Sequence, residues 1–151
     1  MTKSYDWIPS TYFGVKVDIP LESIQDSISY IKQMEERAFS VSEKIKCFTM
    51  IYNNMIKVNK FYCGISGQGA DDITPIFIYI VLKSHPKRLI SNINYIKCFA
   101  KEESDVALFN NMFQQAIETI WNITPSSLNI SVKEFNRRNS EANERISNLE
   151  N

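Results

Sequence analysis

Two carboxylates stand side by side at Asp71 and Asp72, directly after a segment that holds Gly64, Gly67 and Gly69. Adjacent acids in that place suit the first turn of a helix, whose free N–H groups favour negative charge. They can also meet a cation on a partner through charge-assisted hydrogen bonds. His85, the single histidine, is the other concentrated titratable group in this region. A hydrolase or metal site built from Asp71, Asp72 and His85 requires a convergent pocket, and helical periodicity does not bring the three together. The glycines invite a phosphate cradle, but GISGQGADD lacks a Gly-Lys-Ser/Thr ending and the dinucleotide spacing. A flexible connection fits better. Cys47, Cys63 and Cys98 are odd in number, far apart and without a Cys-x-x-Cys pair. They argue for a reducing compartment and against a disulfide framework or a zinc site. None of these groups calls for a cofactor.

The elements that position these residues must come from a chain of 151 residues, enough for one domain with its own core. Its 44% hydrophobic and 23% charged content is that of a folded globular protein. Seventeen basic and seventeen acidic side chains balance, which leaves no net charge to draw a nucleic-acid backbone. The opening MTKSYDWIPS lacks the apolar run of a signal peptide. The most apolar stretch, Ile76 to Leu82, is too short to span a bilayer. A cytoplasmic monomer that does not insert into membrane is the expectation.

Few glycines and few turn dipeptides lean away from a β-sandwich. The first nineteen residues, with Pro9 and Gly14, read as an extended arm packed down by Trp7, Tyr12 and Phe13. Pro20 opens a helix striped by Ile24, Ile28, Ile31 and Met34. Ser40 and Glu43 have capping-box spacing before Val41, Ile45, Phe48, Ile51, Tyr52 and Met55. The span Phe61 to Gly69 reads as a connection. ADDITPIFIYIVLKSHP has a strand-like centre, yet its first-turn acids, Pro75 in the first turn and the stop at Pro86 favour a buried helix. Ser91 is the expected cap of a helix carrying Ile93, Ile96 and Phe99. From Ser104, the residues Phe109, Met112, Phe113, Ala116, Ile117 and Ile120 form a strong helical stripe that Pro125 ends. Ser131 and Glu134 repeat the capping-box spacing. The reading is one domain over 1–138 and a polar tail over 139–151, frayed or helical.

The block GADDITPIFIYIVLKSHPKRLISNINYIKCF closely resembles the central motif of the VPS9 domain. That motif runs Ala-Asp-Asp/Glu, two apolar residues, Pro, an Ile-Tyr segment, Leu-Lys, a proline, then Ser-Asn-Ile-x-Tyr-Ile. Here it is supplied by Ala70-Asp71-Asp72, Pro75, Ile78-Tyr79, Leu82-Lys83, Pro86 and Ser91 through Ile96. Trp7-Ile8-Pro9 through Phe13-Gly14 resembles the family's opening segment, and Ser42 through Cys47 its Arg/Lys-Glu-Lys-Leu-x-Cys helix. Leu108 through Ile120 resembles its final signature helix, and Leu128 through Phe135 the segment after it. The resemblance runs from Asp6 to Arg138. It implies an all-α, compact, layered helical fold with an extended N-terminal arm, without the helical bundle that precedes the domain in larger members.

The family catalyses guanine nucleotide exchange on Rab5-type small GTPases. The implied partner is such a GTPase, especially in its GDP-bound and nucleotide-free forms, met in endosomal membrane traffic after peripheral recruitment. By resemblance, Asp71 falls on the aspartate that reaches the nucleotide site, and Pro75 lies in the groove for the switch regions; Asp72 reads as the capping or supporting acid. Where the family has a tyrosine pair this chain has Leu108 and Phe109, and Asn111 replaces a usual threonine. Leu108 keeps apolar contact but has no phenolic hydroxyl to donate. The alternative reading is therefore a GTPase-binding module with weak or no exchange activity. Phe109, Phe113, Tyr79 and Tyr95 read as structural.

Overall fold

Ile73, Ile76, Phe77, Ile80, Val81 and Leu82 are all fully buried, so this stretch is apolar on every side rather than on alternate sides. A helix enclosed by other helices satisfies that pattern. The computed structural model describes residues 5–64, 70–101 and 103–150, with residues 70–72 and 150 as backbone alone. Among them lie six α-helices: α1 (Gln25–Glu36), α2 (Val41–Cys63), α3 (Ala70–Ser84), α4 (Leu89–Phe99), α5 (Ser104–Trp121) and α6 (Val132–Glu150). No strand occurs among the described residues. The all-α layered fold is as expected.

Helix α3 is the centre. α1, α2 and α5 pack directly on it, and so does a 3-10 turn at Ser10–Phe13. Most expected stripe positions are core: Ile28, Ile31 and Met34 from α1, Phe48, Ile51 and Met55 from α2, and Phe109, Met112 and Phe113 from α5, while Val41, Ile45 and Tyr52 of α2 are half-buried against it. Four rings lock three helices together. Phe48 meets Phe109 at 5.3 Å between centroids, Phe77 meets Phe113 at 4.8 Å, and Phe109 meets Phe113 at 4.6 Å. These are edge-on or tilted arrangements, which the ring quadrupole favours.

Local signals and tertiary partners divide the work at the helix ends. Ser40 Oγ accepts the Glu43 N–H at 3.1 Å, but the Glu43 carboxylate reaches back to the Phe39 N–H rather than that of Ser40. At the second box, Ser131 Oγ accepts the Glu134 N–H at 3.1 Å, while the Glu134 carboxylate turns to Arg137 and Arg138. Ser91 is not a cap. α4 begins two residues earlier, and the Lys87 and Arg88 N–H groups donate to the Glu35 carboxylate of α1, each at 3.1 Å.

Four further expectations change. The segment after Pro20 enters α1 through a 3-10 turn at Leu21–Ile24. Phe61, Tyr62 and Cys63 belong to α2, which ends at Gly64 with φ 65°, so the connection is shorter than Phe61 to Gly69 and 65–69 lie outside the described residues. Pro75 lies inside α3 and not in its first turn, because the helix already runs from Ala70. Phe99 is 69% exposed and stacks on Tyr95 instead of entering the core.

The arm is not extended throughout, since the Ser10–Phe13 turn folds it onto α3. Ile8, Val15 and Ile19 bury their side chains. Ser10 Oγ accepts the Ile19 N–H at 2.9 Å and donates to the Val17 carbonyl at 3.1 Å, which closes the arm on itself. The polar stretch after Arg138 is helical, and α6 runs across 138 to Glu150 without a break.

Candidate functional site

The central acids occupy the first turn of α3 by backbone; the side chains of Asp71 and Asp72 lie outside the described residues. From Ile73 to Leu82 the helix is committed to the core, except for the half-buried Pro75. Proline gives no N–H to the carbonyl four residues back, here that of Asp71. The turn carrying the two acids therefore lacks one backbone bond of a regular helix.

Gly14 comes up against Pro75. A Cβ built on Gly14 would stand 3.7 Å from Pro75 Cγ, and Gly14 holds φ 100°, a conformation that suits glycine. The family motif had placed Gly14 in the opening segment without giving it a role. Its approach to Pro75 joins positions 61 residues apart, which no local spacing announces.

On α5 the named residues occupy one flank. Phe109 is fully buried, Leu108 is half-buried against the core, and Asn111 is exposed. Residues three apart on a helix share a side, so Leu108 and Asn111 sit together at the edge of the core face. Asn111 lines an open concavity of about 430 Å³ with Glu103, Ser104, Val106, Ala107 and Asn110. Its described lining comes from α5 and the residue before it. The seam between α3 and α5 is filled by Phe77 and Phe113. The open concavity lies on the outer flank of α5's first turns, and neither Pro75 nor Leu108 lines it.

The remaining polar candidates have structural employment. Tyr79 donates to the Ile19 carbonyl at 3.2 Å and Tyr95 to the Phe39 carbonyl at 3.2 Å. His85 pairs with Asp6 at 2.6 Å just past the end of α3. At about 1.5 Å per helical residue, roughly 20 Å of axis separates it from the acids of the first turn. An Asp71–Asp72–His85 centre is not assembled.

Lys44, within the family-like helix Ser42 to Cys47, was not singled out by sequence reasoning. Its buried ammonium donates to the Met34 carbonyl at 3.0 Å, the Ala38 carbonyl at 2.8 Å and Asn92 Oδ1 at 2.5 Å. Three donors meet three acceptors, the condition for burying such a group. Burial still pushes its pKa down. Lys44 ties α1, α2 and α4 together, and no partner is needed to explain it.

The vacuolar sorting protein 9 (VPS9) domain model matches residues 24–125. This chain belongs to the VPS9 domain family. The match encloses Asp71, Asp72, Pro75, Leu108 and Asn111, so every named site residue lies on the VPS9 part of the chain. The Rab5 GDP/GTP exchange factor of Homo sapiens is 31% identical over 143 residues, 87% of this chain and 28% of that protein. The Mus musculus protein of the same name is 30% identical over 147 residues, 89% of this chain and 29% of that protein. Vacuolar protein sorting-associated protein 9A of Oryza sativa is 27% identical over 113 residues, 71% of this chain and 24% of that protein. The chain spans less than a third of these relatives' lengths. Among the described residues no helix is long and apolar enough to cross a membrane.

Proposed function

We propose that this VPS9 domain accelerates GDP release from a Rab5-type small GTPase, with Asp71 as the acting carboxylate. The observation that carries the reading is the family match over residues 24–125, which has Ala70-Asp71-Asp72 near its middle and agrees with relatives named Rab5 GDP/GTP exchange factors. A small GTPase grips its nucleotide through a loop lysine, backbone N–H groups and magnesium at the phosphates. A carboxylate brought to that site repels the phosphate and pairs with the lysine once the phosphate has left. Asp72 supports the turn that presents Asp71. Pro75, Leu108 and Asn111 receive the GTPase's mobile switch segments, and Leu108 supplies apolar contact at the edge of the α5 flank. The domain acts as a monomer on the GDP-bound and nucleotide-free forms of its partner, in the cytoplasm, recruited peripherally to endosomal membranes.

Truncating one member of a buried interfacial charge pair costs about 2–5 kcal/mol. D71A is therefore expected to lower exchange efficiency by about 30-fold or more while leaving folding unchanged. GDP release from a Rab5-type GTPase, followed with wild type and D71A at matched circular dichroism, checks this. Equal rates would remove Asp71 from the mechanism. The second reading, a binding module with little exchange activity, draws on Leu108, which has no hydroxyl to donate. It predicts tight capture of the nucleotide-free GTPase without faster GDP release.

A further inference from the structure

The arm and α6 lie outside the matched residues 24–125, yet the arm runs along the helix that carries the acids. At the far end of α3 the arm is fastened by Asp6, whose carboxylate pairs with His85 and whose carbonyl accepts from the Lys83 ammonium. In the middle the Tyr79 hydroxyl holds the Ile19 carbonyl. At the near end Gly14 abuts Pro75. The arm is thus a strap attached along α3 from residue 85 back to residue 75.

Helix α6 covers the strap. Trp7 Nε1 donates to Asn139 Oδ1 at 2.9 Å, and the Trp7 ring meets Phe135 at 6.2 Å and Tyr12 at 6.3 Å. The Arg138 guanidinium lies 5.1 Å from that ring's centroid. Tyr5 adds a second contact to Phe135 at 6.1 Å. Trp7 is where α6 holds the strap. The strap in turn meets α3 at Pro75, where the helix lacks a backbone bond.

We infer that the arm and α6 form a clamp that holds the first turns of α3 in register, with Trp7 as its positioning residue. The consequence for exchange rests on the function proposed above: Trp7 does not touch the GTPase but sets the orientation of the turn that bears Asp71. Loss of the clamp should therefore slow release from the bound GTPase more than it weakens binding.

Amide hydrogen exchange tests the clamp without any partner. W7A is expected to speed exchange at Ile76, Phe77 and Ile78 by about tenfold or more, and to leave Phe113 to Ile117 within about threefold of wild type. Unchanged rates at Ile76 to Ile78, or equal acceleration in α5, would overturn the inference. If W7A does not fold, N139A, which removes only the acceptor of the Trp7 N–H, is expected to give the same local pattern at about threefold. A flat response to N139A would then overturn it. W7F keeps the ring contacts and should restore most of the protection that W7A loses. In the GTPase assay, W7A should lower the maximal release rate with the half-saturating GTPase concentration unchanged. A wild-type domain that fails to release GDP would defeat the proposed function, while the exchange maps would still decide the clamp.

Discussion

The two layers against α3 are built from different materials. The inner layer, α1, α2 and α5, meets it through buried side chains, among them the rings clustered with Phe77: Phe48, Phe109 and Phe113. The outer layer is the arm, which adds the buried Ile8, Val15 and Ile19, and α6, which is tied to the arm by the Trp7–Asn139 hydrogen bond and half-buried aromatics and carries exposed ion pairs around Glu134. Apolar burial is insensitive to charge state and gains with every contact removed from water. Exposed pairs in high dielectric contribute little each and yield to salt and acid. The outer strap thus adds salt- and acid-sensitive ties to a core that it also helps to fill.

The sharpest way to break this contrast is to cut the ring cluster. F113A should destabilise the domain by about 3–5 kcal/mol, since truncating a buried phenylalanine leaves a cavity among close-packed neighbours. Urea unfolding measures it, and a loss below about 1 kcal/mol would mean the core is not where stability resides.

Lys44 gives a smaller and more local test, because it is the inner layer's one deeply satisfied cation among the described residues. K44M keeps the bulk of the stem but strips the donor from the Met34 and Ala38 carbonyls and from Asn92. Leaving buried acceptors unpaired costs about 1–3 kcal/mol. The same unfolding assay reads it, and amide exchange should loosen first at the junction of α1 with α4.

The smallest effect belongs to the outer layer. Hydrogen bonds from Arg137 and Arg138 hold the Glu134 carboxyl down to about 2, against an ordinary 4.5. A depressed carboxyl pKa favours the folded state above the unfolded value and loses that contribution as pH falls through the folded value. Order at the start of α6 should therefore weaken as pH drops from about 4.5 towards 2, while α3 and α5 hold. A carbon-13 titration of the Glu134 carboxyl checks this, and an ordinary midpoint would show that the pairs are not formed in solution.

Much of the inner layer was legible from residue spacing. The α5 stripe from Phe109 to Ile120 is buried at every position named for it, and so are Ile28, Ile31 and Met34 on α1. Helical periodicity is local, and an apolar stripe at that period has one economical destination. Ser40 and Ser131 were legible as caps for the same reason, since donor and acceptor are three residues apart. Ser91 misled because its helix is capped by Glu35, which lies 52 residues before Lys87. Pro75 misled because the rule that keeps proline in the first turn gives way where surrounding contacts support the helix.

The candidate site divides along the same line. The family resemblance named Asp71, Asp72, Pro75, Leu108 and Asn111, and the three-residue spacing of Leu108 and Asn111 sets them on one side of α5. Which flank of α5 stays open was decided by Phe77 filling the seam with Phe113, a contact between separate helices. Folding also drew the Lys44 ammonium between the Met34 and Ala38 carbonyls, laid the arm along α3 and set α6 over Trp7. Short-range order follows from backbone periodicity and the reach of a side chain over one turn. Pairings between distant segments follow from the common burial that the whole chain must satisfy at once, and no window of neighbouring residues contains that condition.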